Sequence, residues 1–268
     1  MSKITEYASA TRFDSGDVLL KDGTNGTKKI TFGNAAVEFA GAVSAMNHRN
    51  VYRGKNLGTS ITTAQWTAIS NGTFDDLFIG DYWILDGTMF DIADMDYWYN
   101  NGDSTFTKHH LVVIPHTNLY YHIMNDTNTT EGGYVGSKMY TEGLATALTK
   151  FQTAFGSHLL THREYLCNAV SNGVESGGAW LDSTIDLPSE IMVYGSRIRS
   201  TSNLYTNGTQ QLALFQLSPR FLKEVRNNSW LRDVVSSTFF AYVNSDGAAG
   251  SNNASNTWYG VRPVGAIG

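Results

Sequence analysis

The sequence is poor in the residues that most readily betray a function. Among 268 residues there is one cysteine, Cys167, so no intramolecular disulfide framework exists. Charged residues make up 16% of the chain, well below the roughly 25% of an average soluble domain. The net charge of -5 and the isoelectric point of 5.8 leave no basic field for nucleic acid, so no nucleic-acid partner is expected. No stretch reaches the ~20 apolar residues of a membrane span, and the start MSKITEYASATRFDSGD holds no apolar run of signal-peptide length. Synthesis in a cytoplasm without membrane insertion is therefore expected.

The catalytic signatures are missing as well. There is no Gly-x-Ser-x-Gly, no phosphate-binding loop of the Walker type and no dinucleotide fingerprint. Cys167 lies in EYLCNAV, an apolar context that reads as helical, with no histidine at a spacing that marks a partner. A small buried filler is expected there. No enzyme activity and no cofactor are expected.

Seven histidines and a cluster of aspartates are the remaining candidates for metal chemistry. His109, His110 and His116 bracket the strand-like HLVVIP, with His122 a little further on. His110 and His116 lie an even number apart and would share a strand face. No cysteine or carboxylate completes a recognised zinc spacing. His158 and His162 stand four apart, but outside the His-Glu-x-x-His pattern of zinc proteases. Asp86, Asp91, Asp94 and Asp96 in DGTMFDIADMD lack the sixth-position glycine and closing glutamate of a calcium loop, so turn and strand-end roles are expected. No metal site is assigned.

What replaces charge is Gly, Asn, Ser and Thr, with an aromatic share of 12% and a mean hydropathy of -0.24. Secreted proteins, virion surfaces and adhesive surfaces share this balance. Along the chain, Gly16 to Phe32 (GDVLLKDGTNGTKKITF) alternates around Asp22-Gly23 and Asn25-Gly26, which predicts a hairpin. Residues from Asn34 to Met46 predict a short helix that is apolar over most of its surface. Hairpin and helix bury too little to fold alone. Residues 1–50 therefore read as a segment that packs on copies of itself or on a larger assembly.

From Val51 to Gly268 the pattern is that of one larger domain. A helix is predicted over Ile61–Gly72, then strands at Tyr82–Leu85, Met89–Asp94 and His110–His116. A long helix over Ser137–Gly156 follows. A second is predicted from THREYLCNAVSNG, with Thr161 as cap and Glu164 at the capping-box position. After a Gly/Ser-rich bridge, SEIMVYGSRI, QLALFQLS, FFAYVNSDG and YGVRPVGAIG read as strands, the last two joined by a Ser/Asn/Gly loop. Strands with segregated helices indicate an α+β chain with an antiparallel sheet, not a doubly wound one.

The stretch WLRDVVSSTFFAYVNSDGAAGSNNASNTWYGVRPV, Trp230 to Val264, combines stiff ends with a middle of small polar residues and aromatics. Adaptable paratopes use this composition, with aromatics for contact area and small polar groups for hydrogen bonds. Ser236, Ser237, Thr238, Phe239, Tyr242, Asn244, Ser245, Asn252, Asn253, Asn256 and Trp258 are the candidate ligand-binding residues. The composition fits a recognition surface and a polar loop with some buried aromatics equally. Strand alternation places Phe239, Ala241 and Val243 on one face and Phe240, Tyr242 and Asn244 on the other, one of which must be core.

Trp230-Leu231-Arg232, Ala241-Tyr242-Val243-Asn244, Asp246-Gly247 and Tyr259-Gly260-Val261-Arg262-Pro263-Val264 resemble the ending of a family of phage structural proteins. These are the C-type-lectin-like domains of phage receptor-binding proteins of the major-tropism-determinant type, some rewritten by diversity-generating retroelements. The resemblance extends back through TFDDLFIGDYW, HLVVIPH and QLALFQL, about four-fifths of the chain. It implies a C-type-lectin-like domain over 51–268 with an antiparallel sheet and two helices, with Trp230, Arg232, Gly260, Arg262 and Pro263 as its fold signature. GDVLLKDGTNGTKKIT resembles the attachment segments of phage head and tail fibre proteins. That implies that residues 1–50 dock on other virion proteins, as a homotrimer. The implied function is host attachment at the virion surface, with a host-cell receptor, protein or glycan, as partner. The Glu-Pro-Asn and Trp-Asn-Asp motifs of calcium-dependent sugar-binding lectins are absent, so calcium-mediated glycan binding is not implied. The alternatives are a capsid or tail decoration protein, and an enzyme of the related formylglycine-generating fold, which would need a reactive Cys167.

Overall fold

The computed structural model describes residues 18–21, 28–31, 48–202, 204, 210–221 and 226–268, with the backbone alone for the first two segments. Strands β1 (Val18–Lys21) and β2 (Lys28–Thr31) pair antiparallel, Val18 opposite Thr31, as the two turn dipeptides between them predict. The helix expected from Asn34 to Met46 lies outside the described residues.

Helix α1 (Thr63–Ser70) begins where a complete capping box closes. The Thr62 hydroxyl accepts from the Gln65 amide at 3.2 Å, and the Gln65 side chain accepts from the Thr62 amide at 2.9 Å. Strands β3 (Tyr82–Leu85) and β4 (Thr88–Met95) are joined by Asp86-Gly87, with φ of 46° and 71°. Two left-handed residues in a two-residue turn match the twist of an antiparallel ribbon. β5 (Leu111–Pro115) is buried along its whole length.

The long helical segment is divided. A π-helical turn, Met139–Gly143, precedes α2 (Ala145–Phe155), which Gly156 terminates at φ 55°. Phe151 and Phe155 of α2 meet Phe90 of β4 edge to face, ring centres 5.1 and 4.9 Å apart, which seats the helix on the sheet.

The helix expected at Thr161–Gly173 is instead a strand, β8 (His162–Ser171), paired with β9 (Val174–Ser183). His162, Glu164 and Leu166 are buried while Arg163 and Tyr165 are half-exposed, a period of two. Asn172-Gly173, φ 52° and 76°, closes the hairpin, and this local turn chemistry overrides the capping-box spacing of Thr161 and Glu164. The Gly/Ser-rich bridge is β9 itself. Cys167 is buried as expected, but in a strand.

Two strands expected further on are short helices. α3 (Glu190–Tyr194) is capped by Ser189, which accepts from the Met192 amide, and stops at Gly195, φ 79°. α4 (Ala213–Leu217) lies against β4, where the Ala213 amide donates to Asp94 at 3.0 Å.

The remaining strands are β6 (Tyr120–Tyr121), β7 (Leu159–Leu160), β10 (Ile185–Asp186), β11 (Ser229–Val234), β12 (Phe239–Val243), β13 (Ala249–Asn253), β14 (Gly260–Val261) and β15 (Val264–Ile267). One sheet runs β10-β15-β5-β4-β3, with β7 also on β15, and a second runs β13-β12-β11-β14-β6. Their pairs are antiparallel except β11 with β14. The chain is thus mixed α and β, mostly strand, with antiparallel sheets and a few short helices. Arg262-Pro263 marks the step between the sheets: β14 belongs to one and β15 to the other. Proline has no amide to donate, so a ladder ends there without an orphaned donor.

Candidate recognition surface

The site is built on β11, whose six residues are all buried. Trp230 is fully enclosed, and its indole Nε1 donates to the His122 carbonyl at 2.8 Å. Its ring is tilted against Tyr259, 4.4 Å between centres, and meets the edge of Tyr242 at 6.4 Å.

Arg232 donates from Nη2 to Glu164 Oε1 at 2.5 Å, and the other oxygen of Glu164 accepts from Trp98 Nε1 at 2.5 Å. Burial pushes the Glu164 carboxyl upward, but the charge of Arg232, with His162, outweighs it and holds the group down at about 2. Asp186 and Asp233 go the other way. Burial raises Asp186 to about 6, and burial with Glu175 and Glu190 nearby raises Asp233 to about 7. One buried cation thus faces several carboxyl groups, and those it does not fully offset hold their protons to higher pH than a free carboxyl does.

Arg262 completes the frame. Its Nε donates to the Pro115 carbonyl at 2.8 Å and its guanidinium lies 4.6 Å over the Phe221 ring. Burial lowers it to about 10, so it stays charged at neutral pH. Gly260 is held against the Asn118 side chain so closely that a Cβ would fall 2.0 Å from Asn118 Nδ2. Pro263 is buried beside it. The five residues of the expected fold signature therefore all sit in buried framework.

The segment between these flanks is tied down along its backbone, not soft. Ser236 Oγ accepts from the Thr238 and Phe239 amides, closing a turn. Thr130 pins that turn from below, its amide donating to the Ser237 carbonyl at 3.1 Å and its hydroxyl to the Ser236 carbonyl at 2.8 Å. β12 pairs with β11 on one side and β13 on the other, Phe239 opposite Asn253 and Tyr242 opposite Gly250. The Ser/Asn/Gly loop is therefore half strand, a correction to the sequence expectation. The Asn244 amide bonds to the Ala248 carbonyl and the Gly247 amide to the Asn244 carbonyl, closing the hairpin.

All eleven candidate residues reach solvent from this frame. Ser237, Ser245 and Trp258 are exposed, and Ser236, Thr238, Phe239, Tyr242, Asn244, Asn252, Asn253 and Asn256 are half-buried. As expected, part of β12 is core: Ala241 and Val243 are buried on one face and Phe240 on the other, so that aromatic is not available to a ligand. Both faces of the ribbon are partly covered. Tyr242 and Asn252 are half framework, since Asn252 Nδ2 donates to the Tyr259 hydroxyl at 2.6 Å and the Tyr242 ring lies 4.3 Å from that of Tyr259.

The eleven do not form one patch. Ser236, Ser237 and Thr238 stand at one end of β12, beside the Gly173 turn, and Asn244 and Ser245 stand at the other. Ser245 joins Trp258 in a groove of about 650 Å³ whose other described walls are Tyr121, Arg226, Asn227, Asn228 and Thr257. Sequence reasoning missed those five. The Tyr120-Tyr121 and Asn227-Asn228 doublets were the available signal, but nothing local links them.

The other candidate chemistry resolves into structure. Asp91 and Asp94 are buried inside β4, not at turns, and Asp94 is clamped by Arg49 at 2.5 and 2.9 Å. Asp86 does occupy a turn, and Asp96 accepts from the His110 amide at 2.9 Å. His116 bonds to Asp91, His158 stacks on Trp66 and His162 on Trp98. Among the described residues no three His, Cys, Asp or Glu side chains converge to hold a metal ion. Burial, with Glu175 nearby, pushes the Cys167 thiol up to about 12, so a thiolate nucleophile finds no support there. No described helix is long and apolar enough to cross a membrane. Compared with family models, curated proteins and solved structures, the chain matches none of them.

Proposed function

We propose that this protein is a phage virion protein, a fibre or receptor-binding protein, that displays residues 236–258 for attachment to a host cell. In this reading residues 51–268 form a C-type-lectin-like domain, and residues 1–50 join other virion proteins as a homotrimer at the particle surface. One observation carries it. Every candidate residue in the segment reaches solvent, while the central strand of the segment, β12, is hydrogen-bonded to a strand with no exposed residue and carries β13 on its other edge. Such a frame lets contact side chains differ without loss of core, and a pre-ordered backbone lowers the entropic cost of binding.

The test is binding of the purified protein to cells of a panel of bacterial strains, beside a variant with Ser237, Phe239, Ser245 and Trp258 changed to alanine. Circular dichroism first establishes that the variant folds. Binding by the parent to at least one strain, lost in the folded variant, is the expected result. Equal binding by both, or binding by neither, rejects the attachment reading and leaves a decoration protein in its place.

A further inference from the structure

The two most exposed large aromatics of the described residues line the same groove: Trp258, 77% exposed, and Tyr121, 55% exposed. An exposed indole is an unusual expense in a protein that encloses three other tryptophans almost completely (Trp83, Trp98 and Trp230). The volume of about 650 Å³ falls in the range of small-ligand sites, roughly 300–1,000 Å³. The rest of its described lining is amide and hydroxyl, plus one charged side chain, Arg226.

We infer that this groove binds an acidic oligosaccharide. A pyranose ring has a face of C–H bonds that packs on an aromatic ring, and a rim of hydroxyls that exchange hydrogen bonds with amides. Trp258 and Tyr121 supply the rings, while Asn227 and Ser245 supply amide and hydroxyl. Arg226 supplies a fork for a sugar carboxylate, and no described carboxylate lines the groove to oppose it. A protein partner fits less well, because a stable protein interface needs on the order of 800 Å² a side around an apolar centre. Here the rings give way at once to exposed Ser245, Asp246 and Thr257.

The groove is also pre-set. Asn228 holds the Ser245 amide through Oδ1 at 2.9 Å, and its carbonyl accepts from both the Gly260 amide and Asn118 Nδ2 at 2.9 Å. The hairpin turn, β14 and the Asn227-Asn228 segment are thereby fixed around one residue. Arg226 adopts φ 50°, a left-handed conformation rare outside glycine and asparagine, of the kind that collects at ligand clamps.

The inference rests on the attachment reading but is tested apart from it. Strains bound by the protein are treated with periodate, which cleaves sugar diols, or with proteinase K, and binding is measured again. The protein is also applied to an array of bacterial polysaccharides, neutral and uronic-acid-bearing. Loss of cell binding after periodate but not proteinase K is expected. Trp258→Ala should weaken binding at least about ten-fold, as for a central aromatic contact. Arg226→Gln should weaken binding to uronic-acid-bearing polymers while sparing any neutral ones. Cell binding that survives periodate, or folded Trp258→Ala and Arg226→Gln proteins that bind like the parent, overturns the groove and leaves attachment standing. Binding to the array without binding to any strain sustains the groove and sinks attachment. Binding to neither rejects both.

Discussion

β11 and the β12–β13 ribbon are hydrogen-bonded neighbours built to opposite rules. In β11 every side chain is buried, including an arginine and an aspartate whose partners come from remote parts of the chain. In the ribbon and its turns the backbone is just as well satisfied, yet the nominated side chains reach water. Segment order is therefore a property of the backbone bonding here, and side-chain identity is constrained at every position of β11 but in the ribbon only at its inward positions, Phe240, Ala241, Val243 and Gly250. Polar composition in a sequence does not distinguish a mobile loop from a fixed surface. The partners of the main-chain amides do.

That contrast is breakable at stated points. The largest effect is expected at Arg232→Met, which leaves Glu164 buried without its cation. Removing one partner of a buried pair costs about 3–5 kcal/mol, read as a fall in the urea midpoint with an unchanged slope. Gly250→Ala comes next. A Cβ there would lie 2.3 Å from the Tyr242 ring, so the ring must move off Trp230 and Tyr259. Overpacking of this kind costs about 1–3 kcal/mol, and the test is whether the loss is shared by Gly250→Ala placed in a Tyr242→Ala background, where it should vanish.

Asp233→Asn sharpens the electrostatic side. Its folded carboxyl is raised to about 7 from 3.8, so the fold holds that proton more tightly than the unfolded chain does. The stability it contributes is complete below the unfolded value and is lost as the pH rises through about 7. Stepwise urea unfolding between pH 4 and pH 7 should show a decline in the parent that Asp233→Asn reduces, the remainder belonging to Asp186, since asparagine can still accept the Glu190 amide. A decline of the same slope in both proteins would mean that Asp233 is not its source. Glu164, held low, works with the opposite sign and loses its contribution only as the pH falls toward about 2.

The smallest effect on stability is expected at Ser237→Ala, Ser245→Ala and Trp258→Ala, each within about 0.5 kcal/mol of the parent, because these side chains are exposed.

Much of the fold was legible where the signal was local. The helix pattern of Ile61–Gly72, the Asp86-Gly87 turn, the apolar run of β5 and the Gly156 stop each mark an element boundary within a few residues. The β8–β9 hairpin was misread because Thr161 and Glu164 have capping-box spacing while Asn172-Gly173 carries the hairpin, and the two signals compete over the same ten residues. α3 and α4 are five residues long, too short for a 3.6-residue period to show against a strand-like apolar run. Composition nominated the eleven solvent-reaching residues between 236 and 258, but it did not separate them from the buried Phe240, Ala241, Val243 and Ala254 among them. The groove was not: Tyr121 and Trp258 line one groove because β6, β14 and β11 lie side by side, a pairing that no local pattern encodes.

The central claim, a fixed frame carrying changeable side chains, is tested most directly by randomising Ser237, Phe239, Asn244, Ser245, Asn253, Asn256 and Trp258 in one library and Ser229 to Val234 in another. The fraction of members that resist a protease dose fatal to the unfolded chain is then counted. Most members of the first library should survive and few of the second. Comparable losses in both would contradict the claim, since the ribbon's side chains would then be part of what holds the fold.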